Sequence, residues 1–190
     1  MRPYLLLILF MLMAGCVPYS EHPLTPPDNG SIDAELLGTW FWKEKDESGY
    51  IHVGLEQKTR LLRVLMVAFN RNNELDESEF SGHTSFLSGN RYLNLKWVRP
   101  GADAANGYML IRYRVEPGRL GIAMMDNVPL EKAIRSGAIA GSVEKEKWAS
   151  SIRITEGQTK LQSFILGNDS QLFPELKYLK RLDLPLTPES

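Results

Sequence analysis

The feature that most constrains this chain is an alternation of apolar and polar residues with period two, recurring along most of residues 31–190. "YIHVGLEQ" places Ile51, Val53 and Leu55 on one side, against His52 and Glu56 on the other. "RYLNLKWV" sets Leu93, Leu95 and Trp97 opposite Tyr92, Asn94 and Lys96, and "GYMLIRYRVE" sets Met109, Ile111, Tyr113 and Val115 opposite Arg112 and Arg114. "ESEFSGHTSFL" alternates Phe80, Thr84 and Phe86 with Glu79, Ser81, His83 and Ser85. Successive side chains of a strand point to opposite faces, so each stretch predicts a half-buried β-strand. "LLRVLMVAFN" is apolar at both phases and predicts a strand covered on both faces.

Turn signals separate these stretches at Ser48-Gly49, Asn72-Asn73, Ser88-Gly89-Asn90, Pro100-Gly101 and Pro117-Gly118. Many short strands at even spacing predict an antiparallel meander that closes into a sandwich or barrel. Two short helices interrupt it. "DNVPLEKAIRSG" offers Asp126 or Asn127 as N-cap, Pro129 in the first turn, an apolar face of Leu130, Ala133 and Ile134, and Gly137 as a stop. "GQTKLQSFILGND" aligns Leu161, Phe164 and Ile165 and is expected to end at Gly167, and "ELKYLKRLDL" reads as a closing strand.

The domain opens on "DAELLGTWFW", a short helical turn followed by Gly38-Thr39-Trp40 at the head of a strand. This resembles the Gly-X-Trp opening of lipocalin-type barrels, in which the tryptophan plugs the closed end and an arginine of the last strand lies across it. The resemblance assigns that closure to Gly38, Trp40 and Arg181 in this sequence. It implies a mainly β fold, a lipocalin-like barrel of about eight strands carrying two short inserted helices. Over residues 31–185 the chain is similar to lipocalin-like bacterial lipoproteins of unassigned function.

Ahead of the domain, "YLLLILFMLMAG" follows Met1-Arg2-Pro3 and ends at Cys16, the single cysteine. An apolar run of this length falls short of the roughly 20 residues a membrane-spanning helix requires, but suits the apolar region of a secretory signal peptide over residues 1–15. Met13-Ala14-Gly15-Cys16 resembles the lipobox of bacterial lipoproteins, which implies diacylglyceryl attachment to the Cys16 sulfur and cleavage before it. Two or three acyl chains give the stable anchoring that one chain does not. Val17 after Cys16, rather than Asp, implies by the same resemblance the outer membrane of a Gram-negative cell, facing the periplasm. Prolines 18, 23, 26 and 27 predict that residues 16–30 form a semi-rigid tether, extending about 3.1 Å per residue, with His22 solvated within it.

Residues 31–190 fit one domain. With 22 Lys+Arg against 23 Asp+Glu, the chain carries no basic footprint for nucleic acid. His52 and His83 have no partner at metal-ligand spacing, the acidic run Glu74–Glu79 lacks the glycine and oxygen pattern of a calcium loop, and no nucleophile elbow or phosphate-cradling loop is present. No enzymatic activity, cofactor or metal is expected.

Function then turns on the barrel interior. Eight strands enclose a space that side chains just fill, or that holds one small ligand. Phe41, Met66, Phe69, Met109, Met124 and Met125 are candidates to line an adaptable apolar pocket, and Arg112 with Arg114 could receive an anionic headgroup if their face were luminal. The leading expectation is an envelope lipoprotein that binds a lipid-like or other small apolar ligand. The alternative is a structural or assembly lipoprotein with a filled barrel that holds an envelope protein through its surface.

Overall fold

The structure, a computed structural model, describes residues 17–27, 32–45, 47–98, 107–145 and 150–182. The proposed signal peptide, Cys16 and the Pro100-Gly101 turn lie outside the described residues. The fold is mainly β, with two α-helices. Its centre is a closed antiparallel barrel of eight strands: β2 (Gly38–Lys43), β3 (Ser48–Leu55), β4 (Leu62–Phe69), β5 (Leu75–Leu87), β6 (Asn90–Trp97), β7 (Met109–Glu116), β8 (Arg119–Met124) and β11 (Lys177–Arg181). The last strand closes the ring by pairing with β8 (Leu179 opposite Leu120) and with β2 (Arg181 opposite Trp40). Closure removes the sheet edges that an open meander would leave unpaired.

The alternation assigns the two faces as the sequence predicts. Val53, Leu93, Leu95, Met109, Ile111 and Tyr113 point inward and join Trp40, Leu62, Val64, Met66, Phe80, Leu120 and Leu179 in one buried cluster.

A second core lies outside the barrel. Against the outer wall of β6, β7 and β8 pack α1 (Asn127–Arg135), α2 (Gln158–Leu172) and a small sheet of β1 (Tyr19–Ser20), β10 (Ser150–Ile154) and β9 (Gly141–Lys145). Tyr92 and Asn94, predicted as the polar face of β6, are therefore fully buried. In β4 the deviation runs the other way. Leu65 remains 44% exposed because the second layer covers β6–β8 and leaves the outer wall of β2–β4 open. The helix α1 begins as predicted, with the Asp126 carboxylate accepting from the Val128 N–H, and Gly137 follows it at φ +75°. The helix α2 does not stop at Gly167 but runs on to Leu172, where burial of Ile165 and Leu172 in the second core outweighs the glycine penalty of about 1 kcal/mol.

The stretch read as a tether is docked along residues 17–27. Leu24 is fully buried in the second core, and its N–H donates to Asn94 Oδ1 at 2.7 Å. The Thr25 hydroxyl meets Ser85 Oγ at 2.6 Å, and Thr25 O lies 2.7 Å from His83 Nε2. From α2, Gln158 donates to Pro23 O and Gln162 to Leu24 O. Proline stiffness, read as reach, here lowers the entropy cost of laying a strap on the barrel. His22 stays exposed.

Candidate functional site

The barrel has two distinct ends. At the closed end a 3-10 turn, Ala34–Leu36, leads into β2, capped by the Asp33 carboxylate on the Glu35 N–H. Trp40 is fully buried there and its indole N–H donates to Leu36 O at 2.9 Å. The Arg181 guanidinium lies 5.2 Å from the Trp40 ring centroid and donates to Leu37 O. Gly38 sits between them at φ +133°, and a Cβ there would come within 3.3 Å of Arg181 Nη2. The backbone conformation favours glycine, and the close approach leaves a side chain room only if the guanidinium shifts. Asp33 also accepts from Arg91 and from the Tyr113 hydroxyl, each at 2.9 Å, tying the turn to β6 and β7.

At the opposite end, the mouth, the chain enters from Val17. Val17 and Tyr19 pack against the interior cluster, and Trp97 Nε1 donates to the Tyr19 hydroxyl at 2.9 Å. Glu47 stands at this rim, in the loop between β2 and β3. Partial burial first, then the charges of Glu44 and Asp76, push its carboxyl up from 4.5 to about 7, against the opposing charge of Lys177. Between those values the folded protein binds more protons than the unfolded chain, so stability falls as pH rises through the window. The variant Glu47→Gln is expected to leave the thermal midpoint little changed at pH 4.5 and to raise it at pH 8. Equal offsets at both pH values would refute this assignment.

Between the ends, fourteen inward side chains are 0–8% exposed, and Trp42, Ile51, Val115, Ile122 and Met124 pack against them from partly buried positions. Met66 and Met109 are among the fourteen as expected, and Met124 is among the partly buried ones. Phe41 and Phe69 point outward, and Met125 belongs to the second core.

Arg112 and Arg114 lie on the outer face of β7, alternating with the inward Ile111 and Tyr113. Arg112 forms a 2.9 Å ion pair with Asp169 of α2, whose other oxygen accepts from the Tyr92 hydroxyl at 2.6 Å. Burial, then that hydrogen bond, holds the Tyr92 hydroxyl above its usual range. Arg112 thus fastens α2 to the barrel. Arg114 is more exposed and reaches Glu116 at 4.0 Å. Together with Gly89, Asn90 and Arg91 the two arginines line a surface depression of about 170 Å³. Arg91 is itself paired with Asp33 and Glu35, so each guanidinium around the depression already faces a carboxylate. That arrangement staples elements together more effectively than it attracts an anion.

The remaining candidate is the open wall, which no single sequence stretch announces. Cross-strand register aligns Lys180, Phe41, Tyr50, Val67 and Glu77 in one row over five strands. The rings of Phe41 and Tyr50 lie 5.2 Å apart. Neighbouring rows add Leu65 and the Phe69–Leu75 pair, and Tyr50, Leu65 and Leu75 are 39%, 44% and 59% exposed. The row is thus an apolar strip flanked by opposite charges, Lys180 at one end and Glu77 at the other. Among the described residues, no three His, Cys, Asp or Glu side chains converge as a metal site. No family model, no curated protein and no solved structure matches this chain.

Proposed function

We propose that this protein is a lipid-anchored envelope lipoprotein of lipocalin-like architecture, whose filled barrel is a scaffold and whose open β2–β5 wall holds an envelope protein partner. The observation that supports this reading is the packed interior, with Trp40 closing one end and Val17 and Tyr19 seated against the core at the other. A small apolar guest would have to displace those side chains, and forcing extra volume into a packed core costs about 1–3 kcal/mol. The open wall meets no such obstacle. Its partner would present an apolar surface to Phe41, Tyr50 and Leu65, an acidic group toward Lys43 or Lys180 and a basic group toward Glu77. None of those three charges forms an ion pair among the described residues. The signal peptide, the acylation of Cys16 and the outer-membrane location belong to the same proposal.

A photo-cross-linking amino acid placed at Tyr50 or Leu65 in intact cells tests it. The expected result is one defined envelope-protein adduct from both positions and none from Lys132, which is exposed on α1 across the barrel. Recovery of the free monomer alone from Tyr50 and Leu65, together with saturable uptake of a fluorescent fatty acid, would replace this reading with the ligand-binding one.

A further inference from the structure

We propose that the barrel stands on the bilayer with its mouth against the lipid surface and its tryptophan-plugged end pointing away, an orientation set by the docked strap. This rests on the reading that Cys16 carries the lipid. Little chain is left free between the anchor and the barrel. A trans peptide separates consecutive Cα atoms by about 3.8 Å, so an anchored Cys16 lies one such step from Val17. Val17 and Tyr19 pack on the interior cluster at the mouth, and Ser20 bridges Tyr108 at the foot of β7. Tyr19 pairs in parallel with Arg153, and the Glu21 carboxylate holds the Arg153 guanidinium at 2.9 Å. Beyond these, buried Leu24 and its hydrogen bond to Asn94 carry the strap along the outer wall toward the closed end. No spacer remains between lipid and body, and the described residues nearest the anchor on the mouth are Gly107 and Tyr108, just ahead of β7, on the same rim as the loops joining β2 to β3 and β4 to β5.

The opposite end, with its turn between β3 and β4, lies one strand length away, roughly 25 Å for eight residues. Among the described residues, the mouth is not a basic surface. Glu44, Glu47, Glu74 and Asp76 face Lys45, Arg71 and Lys177 there. Attraction to anionic lipid therefore does not hold it in place. The anchor and the strap do, and the orientation is expected on uncharged-surface vesicles and insensitive to salt.

Single cysteines placed at Asn72, at the mouth, and at Lys58, at the closed end, read this out in the acylated full-length protein. Each is labelled with a fluorophore and reconstituted into phosphatidylcholine vesicles bearing a headgroup quencher. Quenching at position 72 is expected to exceed that at 58 several-fold and to persist at 0.5 M salt. In a Leu24→Asp background, which frees the strap, the difference is expected to collapse. Protein that floats with the vesicles but is quenched equally at both positions, or more at 58, overturns the orientation alone. Protein that lacks acyl mass and fails to float overturns the anchor reading and the orientation with it.

Discussion

Trp40→Ala is expected to cost about 3–5 kcal/mol and to lower the thermal midpoint by on the order of 10 °C or more. Trp40 is the largest fully buried side chain, and three closures depend on it. Its ring fills the closed end, its N–H satisfies Leu36 O, and its face receives Arg181. The alanine variant leaves a cavity, an unpaired carbonyl and a guanidinium without its aromatic platform. Thermal unfolding of Trp40→Ala beside Trp40→Phe separates these terms. Phenylalanine keeps most of the volume and loses the hydrogen bond, so it is expected to recover more than half of the loss. A Trp40→Ala protein that unfolds within 2 °C of the parent would mean that the 3-10 turn does not close the barrel.

Leu24→Ala is expected to destabilise by about 2–5 kcal/mol, the range for a fully buried leucine. The same change in a solvated linker would fall within about 0.5 kcal/mol. The measurement therefore decides between strap and tether. Limited proteolysis adds a local readout, since the backbone near Pro23 and Thr25 is held by Asn94, His83, Gln158 and Gln162. Cleavage between residues 17 and 27 is expected to accelerate in Leu24→Ala before the barrel melts. His83 bears on the same contact. Burial, opposed by its hydrogen bond to Thr25 O, holds its imidazole below the usual value. Stability contributed by the neutral ring is present above the unfolded value and lost as pH falls through the lower folded value, so the strap is weakest in acid.

Much of the barrel was legible in the sequence. The inward set of β3, β6 and β7 follows from period two alone, and Gly38 with Trp40 marks the strand where the ring closes. Arg181 was placed by family resemblance, and its approach to Trp40 needs β11 to bridge β2 and β8, a contact about 140 residues apart in the chain. The candidate sites were less legible. Arg112 and Arg114 share a face as predicted, but which way that face points depends on closure, and what meets it depends on where α2 lands. The row of Phe41, Tyr50 and Val67 draws one residue from each of three strands, so no local window contains it.

The strap shows where reading by composition stops. Prolines 18, 23, 26 and 27 limit backbone conformations whether the segment is free or docked, and that limit is all a local sequence conveys. Docking depends on a groove between β5, β6 and α2 that accepts Leu24 and offers Asn94, Ser85 and His83 at the right spacing. Local sequence determined the strand faces, the turns, the helix caps and the lipobox resemblance, because each arises from a period or a spacing within a few residues. Only the tertiary structure decided which wall of the barrel is covered, which inward side chains join in one buried cluster, and that the N-terminal segment is tied down. Those outcomes depend on burial against residues far away in the chain, where the free energy of removing apolar surface from water outweighs local preference.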